Sequence, residues 1–585
     1  MRAGFATQPL PLPPGRRSMA GYGPMARRGE VGDDVLRARA LVLVDDANDT
    51  RVALVALDLL SGSAALHARV AERLERFALD QIVLAGTHTH SAPGRFFGNP
   101  FYDFFTIEPA ILPRRWRFDG AWAAGLCQTI AETIRAAESA ATDAVVGIGV
   151  HELWGVAANR SEPAFDANPE AEEWPEVLGL GPAPDLPPRQ QKVDPRVVVV
   201  GAFPRDAAKP SEALALFATF GCHATALGVA QETYARDWPG VAVDRVAAAL
   251  GADRLALGLG GAGDVSPLPP DLLDASDDPT TVQGPELATR RGAAVADAIV
   301  AAVHEAASNA GDAVLQTIMT TWAPPTDVAQ GGLPLIAGAE DARSSLHPRV
   351  HEGMTRRRPR APQGSKWPLP LPRFFNRLCH AAPVHRLHRI HIGDHCFFTV
   401  PGEPTAAAGA RIGAAMCELH GVESASPIGY ANDYAGYFTT PEEYALQHYE
   451  GASTMYGTET LPTLIRDLMR DGDERATEPT SFVVDEDALD QALAELSAVL
   501  DAGEALRLDD GEEGAVQLLY ADDGLAAPTL TVDGAAVEGD SIVLEGPRGE
   551  TVRWAIFLHD RLREDSEVQL EVSEERVAIV CANSR

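Results

Sequence analysis

The sequence predicts an α/β protein: a large layered α/β domain over residues 1–483, followed at 484–585 by a linker helix and a small immunoglobulin-like β-sandwich. Three observations carry this reading. Strand-like apolar runs alternate with helix-period segments through the first half. Short β-like runs broken by Gly and Asp dominate the end of the chain. At 585 residues the chain is also too long for one simple core.

Taken in order, 40–44 and 52–60 read as strands, 64–78 as an amphipathic helix, 81–85 as a strand and 121–140 as a helix. The alternation recurs, with strands at 196–203, 214–220 and 254–257, and helices at 241–250 and 285–309, which is the signature of layered α/β architecture. No fixed-period repeat is visible. Between 326 and 383 the texture turns to Pro, Arg and Gly. So long an irregular segment covers a site or is an ordinary surface excursion. Residues 384–392 and 396–400 flank Gly393-Asp394 as a hairpin, and 404–419 reads as a helix. A short acidic helix is expected at 485–500, then strands at 516–520, 529–532, 541–544, 552–558 and 568–572, enough for a small sandwich.

Composition excludes several classes of function. Lys and Arg number 49 against 83 Asp and Glu, a formal charge of -34, so the surface repels nucleic-acid backbones and anionic membrane faces. The plain reading of the excess acid is solubility, or adaptation to a salty cytoplasm. Six cysteines are scattered without a C-x-x-C pair, which suits reduced thiols rather than a disulfide framework. The first 30 residues hold no apolar core of a signal peptide, and no stretch of about 18 apolar residues predicts a transmembrane helix. The expected location is the cytoplasm.

Chemistry concentrates where predicted strands end. Residues 81–85 run into Gly86-Thr87-His88-Thr89-His90-Ser91, and two histidines at i, i+2 project to one side of an extended backbone. Open α/β sheets bind ligands at such carboxyl ends. A second strand ends at Gly221-Cys222-His223, and a third at Pro401-Gly402-Glu403-Pro404, so distant segments could supply two imidazoles and a carboxylate to one metal. Each also has an ordinary role available, as a buried hydrogen-bonded histidine or a carboxylate favoured at a helix N-terminus. Gly258-Leu259-Gly260-Gly261-Ala262-Gly263 formally matches a dinucleotide loop. Pro267, Pro269 and Pro270 forbid the helix such a loop needs, so the glycines are expected to let backbone pack close to a site and present Ser266.

Six segments in order resemble the neutral (non-lysosomal) ceramidases: Gly86 through Gly94, Ala158-Asn159-Arg160-Ser161, His223, Gly263-Asp264-Val265-Ser266-Pro267, Pro401-Gly402-Glu403-Pro404-Thr405, and Asn432 through Thr454. The resemblance spans roughly residues 20 to 475. It implies a zinc-dependent catalytic domain over 1–483, with Zn2+ held by His88, His223, Glu403 and Tyr437, and with His90, Arg160, Ser266 and Tyr449 lining the pocket. Tyr437 comes from the resemblance alone. It further implies hydrolysis of the amide between a fatty acid and a sphingoid base, with metal-activated water as the attacking group. Proton transfer falls to Glu403 or His90, and Arg160 with Tyr449 holds substrate oxygens. Ser266 is a nucleophile or an orienting group. The partner is a small N-acyl lipid or amide; segments 95–117 and that near 360 are the expected determinants of which one. The alternative is a non-catalytic lipid- or carbohydrate-binding member of the same fold.

Overall fold

The computed structural model describes residues 1–22, 28–97, 120–206, 208–267, 283–326, 329–339, 350–367, 369, 384–472 and strand segments between 505 and 580. Twelve core strands fall into three units of the same topology. The first is β1 (Arg2–Pro9), β2 (Arg37–Asp45), β3 (Thr50–Leu57), α1 (Ala64–Ala71) and β4 (Ile82–Gly86), followed by α2 (Gly120–Ser139). The second is β5 (Thr142–Glu152), β6 (Arg196–Pro204), β7 (Ala215–Phe220), α3 (Asp237–Leu250) and β8 (Leu255–Leu259), followed by α4 (Pro285–Ser308). The third is β9 (Leu315–Trp322), β10 (His385–Ile392), β11 (His395–Thr399), α5 (Ala406–His420) and β12 (Ser424–Ile428), with α6 (Thr460–Leu468) further on.

In each unit the first three strands pair antiparallel, and the fourth returns through a helix to lie parallel to the third. The first two units fuse where β1 meets β5, Arg2 opposite Asp143, giving one eight-stranded sheet in the order β8-β7-β6-β5-β1-β2-β3-β4. The third forms its own sheet, β9-β10-β11-β12. The repetition escapes a search for a fixed period because insertions of unequal length separate the strands.

Period-two burial explains the layering. Leu41, Leu43, Leu54, Val83, Val200 and Phe217 of the large sheet share one core with Ile390, Ile392, Phe397 and Ile428 of the small one. The alternate residues Ala40, Val42 and Val55 turn outward onto α2 and its neighbours, and Val197, Val199 and Leu216 onto α3 and α4. Beyond the small sheet, Leu387 and Phe398 meet Ile412 and Met416 of α5 and Leu464 of α6. The result is helix, sheet, sheet, helix. Close approach of the outer helices is set by glycine. A Cβ on Gly147 or Gly149 of β5 would overlap the carbonyl oxygens of Ala306 and Ala302 of α4, and one on Gly4 of β1 that of Ala137 of α2.

Several expectations need correction. α1 ends at Ala71 rather than at residue 78, and β3 ends at Leu57 rather than at residue 60. β1, β5, β9 and β12 were not anticipated. The sheets are mostly antiparallel, with one parallel strand pair closing each unit. Within 326–383 lies a paired hairpin, Thr355–Arg360 with Gly364–Lys366. The hairpin across Gly393-Asp394 is present as expected. Near the end, strands at Ala515–Ala521, Thr529–Val532, Gly539–Glu545, Thr551–Leu558 and Val568–Glu571 overlie the expected ones. With Ala505–Arg507, Ala535–Val537 and Ala578–Val580 they make a five-stranded and a three-stranded sheet. The helix expected at 485–500 and most of segment 95–117 lie outside the described residues. Among the described residues no helix is long and apolar enough to cross a membrane.

Candidate metal centre

The carboxyl ends of β4, β7 and β11 deliver His88, His223 and Glu403 to one buried point. His88 leaves the strand in a left-handed conformation, φ 57°, with its N–H on Leu59 O at 3.0 Å. Its Nδ1 donates to Leu60 O at 2.8 Å. His223 does the same to Ala262 O at 2.6 Å. Each carbonyl can only accept, so each fixes the proton on Nδ1 and turns the Nε2 lone pair inward. There Glu403 Oε2 lies 3.1 Å from His223 Nε2 and 3.4 Å from His88 Nε2.

His90 lies against this group. Its Nε2 is 3.1 Å from His88 Nε2, and the ligand nitrogens of His88, His90 and His223 all lie within 4.8 Å of one another. The two histidines of the motif converge through the positive φ of His88, not through the strand alternation read from the sequence.

These residues fit a metal ion. Two lone pairs and a carboxylate oxygen facing one another in a buried site repel unless a cation lies between them. Glu403 Oε2 is buried without a hydrogen-bond donor of its own. Burial opposes its ionisation, yet positive charge beside it, when placed on His88 and His223, outweighs that and holds the carboxyl well below its ordinary range. Burial, then Arg160, pushes His223 down to about 4; burial, then His88 and His223, holds His90 well below its usual value. Imidazole and carboxylate donors in this number suit a zinc-type ion.

Aromatic and charged groups surround the cluster. Tyr434 donates its hydroxyl to Glu403 Oε1 at 2.6 Å, and Tyr430 stacks on His88 with ring centroids 3.9 Å apart. Arg160 is buried, with Nε on Glu450 Oε1 at 2.8 Å and Nη2 on Gly263 O at 2.7 Å. The same Nη2 donates to Tyr437 Oη at 3.0 Å. The guanidinium lies over the Tyr449 ring, 5.4 Å from its centroid. Tyr437 and Tyr449 meet edge to face at 5.6 Å. The backbone bond between Glu403 N and Gly436 O, 2.9 Å, sets the 401–403 loop beside the 430–437 loop.

Ser266 sits on a two-residue strand, Val265–Ser266, paired with Ala158–Asn159 next to Arg160. A strand here, not a helix, follows the glycine run. A Cβ on Gly263 would stand 2.8 Å from Glu403 O, so the run serves close packing, as the prolines suggested. Both oxygens of the neighbouring Asp264 are engaged, by Ala406 N at 2.8 Å and Asn159 Nδ2 at 2.7 Å.

The structure therefore brings His88, His90, His223 and Glu403 into one cluster, with Tyr437, Tyr449, Arg160 and Ser266 on the segments around it. Tyr434, Glu450 and Tyr430 were missed as site residues. Tyr434 and Glu450 lay inside the quoted 432–454 motif, whose aromatic and acidic residues next to small ones were the available signal.

A model of the family described as "Neutral/alkaline non-lysosomal ceramidase, N-terminal" matches residues 13–318 and 376–466, more than half of the chain. The chain is 26% identical over 517 residues to the neutral ceramidase of Mycobacterium tuberculosis, covering 78% of this chain and 75% of that one. A local stretch of 69 residues, 11% of this chain and 10% of the other, is 48% identical to the neutral ceramidase of Pseudomonas aeruginosa. In fold, it is similar to a structure titled "Ceramidase complexed with C2", with TM-score 0.64, 18% identity and 99% of each chain covered. A crystal structure of neutral ceramidase from Pseudomonas aeruginosa gives TM-score 0.61 at 18% identity, with 96% and 94% covered. By its sequence match, the chain belongs to the neutral/alkaline non-lysosomal ceramidase family.

Proposed function

We propose that this chain is a zinc-dependent amidase that hydrolyses the amide of ceramide or a closely related N-acyl lipid, releasing a fatty acid and an amine. The observation that carries the reading is the pair of Nδ1-anchored imidazoles whose Nε2 atoms face one buried, donor-free carboxylate oxygen. Family membership supplies the substrate class.

His88, His223 and Glu403 would hold the ion, with Tyr437 as the further ligand that the family resemblance implies. Bound there, zinc supplies positive charge that polarises the amide carbonyl and lowers the pKa of water toward neutrality. The chain's own residues do the rest. Burial, then Glu403, raises the Tyr437 hydroxyl well above its ordinary pKa. Because Arg160 donates to Tyr437 Oη, the tyrosine proton is left to stabilise the negative charge that develops on the carbonyl oxygen. Burial raises Tyr449 to about 12, so it is likewise a donor at neutral pH. Glu403, or His90 with its Nε2 3.1 Å from His88 Nε2, would take the proton released by water and pass it to the leaving nitrogen. Ser266, beside Arg160, orients the substrate.

The test is hydrolysis of a ceramide with a labelled acyl chain. Release of fatty acid and base that stops on chelation and returns with zinc is expected, with His223→Ala inactive. Full turnover after complete metal removal would defeat the metal reading; a protein that binds N-acyl lipids without cleaving them would be a binding member of the fold.

A further inference from the structure

We infer that Tyr434 is a positioning residue for the metal centre: it occupies one oxygen of Glu403, so that the carboxylate offers only the other to a cation. The inference rests on the metal reading above and adds to it the residue that sets how Glu403 binds.

The geometry divides the two oxygens of Glu403 between different tasks. Oε1 accepts from the Tyr434 hydroxyl at 2.6 Å, whereas Oε2 faces His88 and His223. A hydrogen bond that short to an ionised acceptor is of the strong, charge-assisted kind. The hydroxyl is the donor, so its proton lies between the two oxygens. Lost to Oε1, that proton would have to be replaced by the cation itself, converting a one-oxygen ligand into a two-oxygen one.

Tyr434 is itself held on several sides. Its N–H donates to Asp433 Oδ1 at 2.9 Å, and Asp433 Oδ2 is fixed by His385 Nδ1 at 2.7 Å. Ser61, just beyond the end of β3, donates to Asp433 O at 3.1 Å. Ala435 N is bonded to Pro401 O at 2.7 Å, two residues before Glu403. The Phe97 ring packs on the tyrosine at 5.6 Å. A side chain fixed through residues of the first and third units is built to place one hydroxyl.

Tyr434→Phe keeps the ring and removes the hydroxyl. Zinc affinity of the purified full chain, measured by competition with a chromophoric chelator, is expected to fall about 10- to 100-fold, the range for loss of a hydrogen-bond donor to a ligating carboxylate. Melting temperatures of the metal-free proteins serve to compare the folds. As a second measurement, X-ray absorption of the zinc-loaded wild type is expected to show a one-oxygen carboxylate. Equal zinc affinity in the two proteins, or a two-oxygen carboxylate in the wild type, would overturn the inference while leaving the metal reading intact. A wild type that binds no stoichiometric zinc would instead overturn the metal reading, and this inference with it.

Discussion

Arg160 shows how a single side chain does several jobs at once. Its planar fork spans Glu450, the Gly263 carbonyl and the Tyr437 hydroxyl, while its face covers Tyr449. A lysine carries the charge but cannot make that set of directed contacts. Arg160→Lys is therefore expected to lower kcat/KM for ceramide about 100-fold, comparable with loss of one oxyanion donor. A change below about threefold would show that charge alone suffices. Glu450 deserves its place for the same reason: with Oε2 on the Ser161 hydroxyl at 2.5 Å, it fixes the guanidinium from behind.

At the scale of elements, the site depends on how closely helices lie on strands. Gly149 of β5 has no room for a Cβ against α4. Gly149→Ala is expected to push the helix off the sheet and destabilise the fold by about 1–3 kcal/mol, the usual range for overpacking, measured by urea unfolding. The start of α5 is equally specific. Thr405 caps it through Ala408 N and donates to Glu443 Oε2 at 2.7 Å. Thr405→Ala should remove about 1 kcal/mol through the cap. Because Glu403 lies two residues before this cap, fraying there should also raise the rate of metal loss; an unchanged loss rate would confine the cap to a stability role.

Across the whole molecule, buried acids tie the second unit to the third. Asp264 follows β8, and Glu443 lies beyond β12; both are buried. Burial, then Glu450, raises Asp264 to about 6, and burial, then Asp264, raises Glu443 to about 8. A carboxyl whose pKa is higher in the folded state holds a proton that the unfolded chain has released, so its contribution to stability falls as pH rises. For Glu443 the window runs from the ordinary glutamate value of about 4.3 up to about 8. Glu443→Gln is expected to flatten the decline in melting temperature between about pH 6 and 8. The same slope in both proteins would show that Glu443 does not carry it.

Period-two and helix-period patterns were enough to place most of the strands and helices, since burial on one face writes itself into consecutive residues. The strand ends carrying His88, His223 and Glu403 were legible for the same reason. The first strand of each unit was not. β1 and β5 carry glycines and small residues where helices press on them, and β9 mixes Gln316 and three threonines with its apolar residues, so their apolar signal is weak. Sequence alone thus determined the layered α/β class and marked His88, His223 and Glu403 as strand-end residues that could meet at one point. Only the tertiary structure decided the threefold repetition, the entry of His90 into the cluster and the hold of Tyr434 on Glu403. Each of these depends on contacts between segments far apart in the chain, and on a left-handed turn at His88 that no local pattern specifies.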